Sequence, residues 1–214
     1  MRTVELFCGT KSFSKIAEKR GYETFTVDND ESFRPDMVAD MIFPKPKLLM
    51  DKIMDADIVW MSPPCQTFSM AAGNRHWTAD RQPKTNQAIM GKSLMEGCIE
   101  IMRLCAAMGK IYFIENPRAR ARWFMPTDDT RKTVWYCQYG DDRAKPTDIW
   151  TNLKDWKPKT CHNGNKDCHH QPAPRGSKTG TQGLKGAKDR GVIPSALFEE
   201  IFDIIESTKS DDSL

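Results

Sequence analysis

No stretch of this chain approaches the roughly 18 consecutive apolar residues that a membrane-spanning helix needs, so a helical span is excluded. The opening Met1-Arg2-Thr3-Val4-Glu5 has no signal-peptide layout and moves straight into a strand pattern, so a cytoplasmic protein is expected. Internal repeats are absent, and with them the solenoid and propeller architectures. Paired Cys-x-x-Cys motifs are also missing. The seven cysteines are odd in number and scattered among apolar positions, which favours reduced thiols over a disulfide framework. Glycine is scarce at the first strand-to-helix turn, where Gly9 stands alone and a full GxGxxG would have three.

What is present fits one globular core with a small appendage, the most that 214 residues comfortably build. The net charge of +3 says little, but its distribution says more. Eight Lys or Arg face two Asp between Lys157 and Arg190, whereas the segment after Pro194 is acidic. Such a basic stretch is either a nucleic-acid footprint or a solvated loop.

The periodicity alternates between strand and helix. Thr3–Phe7 reads as a strand leading to Cys8-Gly9-Thr10, and a helix follows with Ser12 as its N-cap and Phe13, Ile16 and Ala17 as its apolar stripe. Gly21 stops that helix, and Glu23–Val27 is a second strand ending in Asp28-Asn29-Asp30. This is the layout of a nucleotide-binding βαβ unit, whose acidic strand end can accept hydrogen bonds from ribose hydroxyls. A third strand is expected near Met37-Val38-Ala39, with Asp40 at its end. A fourth is expected over Asp57–Met61.

The fourth strand runs into Ser62-Pro63-Pro64-Cys65-Gln66-Thr67-Phe68-Ser69. Two prolines can continue neither a ladder nor a helix, so Cys65 is held at the mouth of the sheet, where open α/β sheets bind ligands. Residues 66–86 are polar and without period, a length of loop that suggests a lid. His76 within it reads as a solvent-exposed or phosphate-contacting residue. A long helix is then expected over 86–108, with Met90, Leu94, Cys98, Ile101 and Cys105 on one face. Ile111–Ile114 is a fifth buried strand ending in Glu115-Asn116-Pro117, which sets a carboxylate at the same sheet edge as Cys65. Thr133–Tyr139 and Asp148–Trp150 read as two strands around a polar turn. Pro194 opens a last helix with Leu197, Phe198, Ile201, Ile204 and Ile205 on one face.

This ordered set resembles the cytosine-C5 methyltransferases of DNA, over about residues 3–150. Leu6-Phe7-Cys8-Gly9 is similar to their first, S-adenosylmethionine-binding motif. Pro64-Cys65-Gln66 resembles their nucleophile motif, and Glu115-Asn116 their catalytic pair. Tyr139-Gly140 with Arg143-x-Lys145 is similar to a further family segment, in which Thr147 here replaces an Arg. Lys11 and Ser12 stand where the family has two glycines. The resemblance looks like that of a compact, phage- or prophage-type member.

The resemblance implies a doubly wound, Rossmann-like α/β sheet that transfers methyl from S-adenosylmethionine to C5 of cytosine in duplex DNA. Catalysis would fall to Cys65, Glu115, Asn116 and Lys145. Phe7, Gly9, Thr10, Asp28, Asn29, Asp40, Pro63 and Leu94 would bind the cofactor. Nucleic acid would meet Gln66, Ser69, Arg118, Arg143, Arg175 and Lys178, with the stretch from Pro174 to Gly180 as a reader. The implied division is a catalytic core over 1–155, a small basic target-recognition insertion over 156–192, and a helix over 193–208 packing back on the core of a monomer. The same motifs also fit an RNA-modifying relative, or a degenerate one that only binds DNA.

One feature falls outside the resemblance. Cys161, His162, Cys168, His169 and His170 crowd into ten residues. Cys161, Cys168, His162 and His169 are candidate zinc ligands, but the spacing is not a standard pair and adjacent histidines rarely share one ion. Histidines facing DNA phosphates are the alternative, and no metal is expected.

Overall fold

The computed structural model describes residues 1–41, 45–171 and 187–211. Seven strands form one sheet in the order β3-β2-β1-β4-β5-β7-β6. They are β1 (Arg2–Leu6), β2 (Glu23–Asp28), β3 (Met37–Val38), β4 (Ile58–Met61), β5 (Ile111–Pro117), β6 (Arg131–Trp135) and β7 (Pro146–Thr151). The first five run parallel, and β7 inserts antiparallel between β5 and β6. Five helices accompany them: α1 (Ser12–Lys19), α2 (Lys47–Asp55), α3 (Asn86–Ala107), α4 (Ala187–Gly191) and α5 (Ser195–Asp211). The doubly wound α/β expectation is met.

Both faces of the central strands are covered, so β4 reads as an unbroken apolar run. Its residues alternate between two hydrophobic clusters. Val59 and Met61 join Leu49, Ile53, Met95, Ile101 and Phe68 on the face covered by α2 and α3. Ile58 and Trp60 join Phe13, Phe113, Phe198 and Phe202 on the face covered by α1 and α5. Trp60 is the pivot of the second cluster, stacked on Phe13 at 5.4 Å and on Phe113 at 5.3 Å, with Phe198 edge-on at 4.9 Å. A salt-bridge cluster fixes α5 against the end of α1: Arg20 meets Glu199, Asp203 and Glu206.

Strand order reverses between β1 and β4. From β1 the chain steps outward to β2 and β3, whereas β4 leads the other way to β5. The crevice beyond the carboxyl ends of β1 and β4 is therefore the topological switch point at which such sheets bind ligands.

Several expectations need correcting. Lys11, in left-handed conformation and without a side-chain cap, precedes α1, so Ser12 is its first residue and not its cap. Glu5 does the capping work from the neighbouring strand, its carboxylate accepting from the backbone N–H groups of Ser14 at 2.9 Å and Phe13 at 3.4 Å. The helix α2 went unread in the sequence. The buried face of α3 is rotated from the one expected: Met90 is 48% exposed, while Met95, Ile99 and Met102 point inward with Cys98, Ile101 and Cys105.

The polar stretch after Cys65 is folded rather than loose. Trp77, 3% exposed, stacks on Phe68 at 5.5 Å, packs on Phe124 at 4.9 Å and donates its indole N–H to the Thr67 carbonyl at 2.7 Å. His76 is buried, not solvent-facing, because its Nδ1 pairs with Thr85 Oγ1 at 2.8 Å. That hydroxyl also caps α3 by accepting from Ala88 N–H.

Candidate active site

The turn after β1 is built from backbone that most residues avoid. Phe7, Gly9 and Lys11 all have positive φ, at 58°, 45° and 56°. Lys11 adopts here what a glycine would adopt more easily. Asp28, at the end of β2 and 8% exposed, holds this turn: its carboxylate accepts from Gly9 N–H at 2.9 Å and from Asp30 N–H at 3.0 Å. A carboxylate offers about four lone-pair sites, so acceptor capacity is left for a ligand hydroxyl. Asn29 and Asp40 are exposed at the ends of β2 and β3, and Thr10 is half-buried beside Gly9. Leu94 packs on the core cluster from α3. A buried carboxylate with acceptor capacity left, at the end of β2 beside this turn, fits the ribose hydroxyls of S-adenosylmethionine.

The neighbouring strands supply reactive groups. In the β4–β5 register Met61 pairs with Ile114, so the Ser62–Cys65 turn and Glu115 leave the sheet at the same edge. Asn116 locks the two together by donating its side-chain amide to the buried Pro63 carbonyl at 3.0 Å. The Asn116 amide oxygen is also buried and has no hydrogen-bond partner. Behind Cys65 the chain curls tightly, with the amides of Phe68 and Ser69 both donating to its carbonyl.

Glu115 is 7% exposed and accepts from the Tyr136 hydroxyl at 2.9 Å. Burial raises its pKa, against the opposing pull of Lys145 and of the Tyr136 hydrogen bond. Burial and the nearby Glu115 charge likewise push the Cys65 thiol up, while Lys145 and Arg190 act the other way. Lys145 is lowered by burial and held up by Glu115. Its φ is 26°, and its ammonium sits 4.5 Å from the centre of the Tyr136 ring and donates to the Arg190 carbonyl at 2.9 Å. Cys65, Glu115, Asn116 and Lys145 are thus brought into one electrostatic neighbourhood. Tyr136 belongs with them and was missed, since within Val-Trp-Tyr nothing in sequence marks it off from strand core.

The polar contacts read from the sequence divide. Gln66 and Arg118 are exposed, Ser69 is half-buried, and the Arg118 guanidinium lies over Trp135 at 5.2 Å. An open groove lined by Met70, Arg118, Ala119, Arg120, Arg122 and Trp123 runs along this edge. Arg120 is built into its wall, donating to the Ser69 carbonyl at 2.9 Å. Arg122 grips the fully buried Asp148 with two bonds, at 2.6 and 2.7 Å.

Arg143 departs from its expected role. It is 5% exposed, pairs with Asp141 and donates to the carbonyls of Arg190 and Val192, so its donors are spent inside the protein. Arg175 and Lys178 lie outside the described residues. Of the proposed metal ligands, Cys161 and Cys168 come together, but His162 does not join them and His169 is turned to the Asp141 carbonyl at 3.1 Å.

A protein of Frog virus 3 named "Probable DNA (cytosine-5)-methyltransferase" is 28% identical over 95% of this chain, and the match takes in the whole of that protein. The chain is similar to a cytosine-5 methyltransferase over nearly its whole length. No protein-family model matches the chain. Among solved structures, the S. pombe Dnmt2 methyltransferase superposes with a TM-score of 0.46 at 12% identity, covering 71% of this chain and 48% of that one. The Entamoeba histolytica methyltransferase EhMeth gives 0.43 at 12% identity, with 74% and 55% covered. The chain therefore spans about half the length of those solved structures. No helix among its described residues is long and apolar enough to cross a membrane.

Proposed function

We propose that this protein transfers a methyl group from S-adenosylmethionine to C5 of cytosine in duplex DNA through a covalent bond from Cys65 to C6. The observation that carries the reading is the convergence of Cys65 and Glu115 at one sheet edge, tied by the Asn116–Pro63 hydrogen bond. C5 of cytosine is a poor nucleophile on its own. Attack of Sγ at C6 forms the S–C6 bond and moves the ring electrons to C5. S-adenosylmethionine, when bound, supplies the electrophilic methyl.

Glu115, with its raised pKa, is suited to carry a proton to N3 and to accept from the exocyclic amine, which offsets the charge that develops on the ring. Tyr136 and Asn116 fix the positions of Glu115 and of the Pro63 turn. Loss of the C5 proton to solvent water then forms the C5–C6 double bond, the S–C6 pair leaves on Sγ as thiolate, N3 returns its proton to Glu115, and aromaticity is restored. The cytosine must leave the base stack to reach this crevice. Exposed Gln66 and Arg118, beside the cationic groove, are the residues proposed to meet nucleic acid. Asp28 and the turn from Phe7 to Lys11 are proposed to hold the cofactor.

Cys65→Ser tests this. The variant is expected to lose methyl transfer to duplex DNA by at least about 10³-fold while binding S-adenosylmethionine in calorimetry as the unaltered chain does. Full transfer by the variant overturns the covalent step. Methyl acceptance by RNA in preference to duplex DNA overturns the substrate.

A further inference from the structure

The region from Cys137 to Gln171 closes around four soft donors that the methyl-transfer site does not use. Cys137, 2% exposed, sits in the 3-10 turn Tyr136–Tyr139 directly after β6. Cys161, Cys168 and His170 return to it from the irregular segment that follows β7. One ligand atom from each of the four lies within 4.8 Å of all the others. Cys161 Sγ is 3.8 Å from His170 Nδ1. A tetrahedral zinc with bonds of about 2.3 Å to sulfur and about 2.0 Å to nitrogen has ligand–ligand edges of about 3.5–3.8 Å. The cage thus needs to tighten only slightly to hold an ion.

Side-chain amides hold two of the thiols in place. Gln138 donates its side-chain amide to Cys168 Sγ at 3.5 Å, and Asn165 donates to Cys161 Sγ at 3.4 Å. Hydrogen bonds of this kind orient and stabilise a metal-bound sulfur. The segment is also tied down at its far end, where Gln171 N–H donates to the Asp142 carbonyl at 2.9 Å. His162 stands outside the group, and His169 already contacts the Asp141 carbonyl. One histidine of the adjacent pair therefore remains for the ion, which removes the objection that two neighbours would have to share it. Cys137, 24 residues before Cys161, is the ligand that sequence spacing could not supply.

We propose that Cys137, Cys161, Cys168 and His170 form a structural Zn²⁺ site of the Cys₃His type. With four protein ligands the site is closed, which marks a structural ion rather than one that activates water. Its place in the fold gives it a task. Cys137 adjoins Tyr136, whose hydroxyl rests on Glu115, so the ion pins the irregular segment after β7 to the turn that backs the catalytic crevice. A domain of this size has little apolar core to spare for residues 157–171, and a metal clip takes its place there.

Elemental analysis of the full-length protein, purified without chelator from zinc-supplemented cells, tests the site. About one zinc per chain is expected, with X-ray absorption showing three sulfur neighbours and one nitrogen. Cys161→Ser and Cys168→Ser are both partly exposed and so the variants best placed to fold. Each should bring zinc to trace levels and abolish the fall in melting temperature that a strong chelator causes in the unaltered chain. His162→Ala and His169→Ala should keep the ion. Wild-type protein that carries no zinc and takes none up on titration would overturn the proposal. So would full zinc retention by both cysteine variants, or a Cys161–Cys168 disulfide found without metal.

Discussion

Glu5 shows how much one side chain can be asked to do. It lies on β1 in the middle of the sheet, 4% exposed, and its carboxylate caps α1 through the amides of Phe13 and Ser14. Burial raises its pKa from an ordinary 4.5 to about 7, and those hydrogen bonds only partly oppose the rise. The folded chain therefore keeps a proton over a range of pH in which the unfolded chain releases it. Stability from this group is present in full below pH 4.5 and is lost as pH rises towards 7, by at most about 3 kcal/mol. Glu5→Gln keeps an acceptor for the α1 amides and removes the ionisation. Its urea midpoint is expected to fall clearly less between pH 5 and 7.5 than that of the unaltered protein, the remainder coming from Glu115. A parallel decline in both proteins would show that Glu5 is not responsible.

At the scale of elements, helix α3 meets the loop that follows Cys65 at a glycine. A Cβ on Gly91 would stand 2.7 Å from Thr67 Oγ1 and 3.5 Å from the Phe68 ring. In an open helix Gly→Ala gains about 1 kcal/mol; here the clash should reverse the sign. Gly91→Ala is expected to lower the denaturation midpoint and to reduce methyl transfer more than cofactor affinity, because Thr67 and Phe68 set the turn behind Cys65. An Ala variant that is more stable and equally active would place no constraint on that contact. The same packing explains which elements were legible. β4 and β5 announced themselves by apolar runs cut short by proline or by charge. In α2 only Leu49 and Ile53 are buried, too narrow a stripe to register as a period. The segment from Gln66 to Thr85 looked shapeless because two aromatics, Phe68 and Trp77, order it through contacts with Phe124 rather than through any local pattern. Met90 was misjudged because the packed face of the first turns of α3 runs through the small residues Ala88 and Gly91, which leave Met90 turned outward.

Over the whole molecule, the doubly wound class and the convergence of strand ends were readable, since βαβ units leave little freedom in handedness or in where ligands bind. Contacts between distant segments were not. Tyr136 reaches Glu115 from 21 residues away, and Arg143 is claimed by carbonyls of Arg190 and Val192 from beyond the basic segment. Neither partnership has a sequence signature. The same long-range logic bears on α5, which could be a separable tail or part of one folding unit. Phe198 and Phe202 are fully buried against Phe13, and Phe198 also against Trp60, so α5 completes the cluster beneath the strand that leads to Cys65. Removing the Phe198 ring leaves a cavity at the centre of that cluster. Phe198→Ala is therefore expected to cost about 3–5 kcal/mol, spread over the whole chain rather than confined to α5. Circular dichroism and tryptophan fluorescence should report one coincident unfolding transition at a lower midpoint. Two separated transitions, the first carrying only the helical signal of α5, would show instead that this helix melts on its own and that the sheet stands without it.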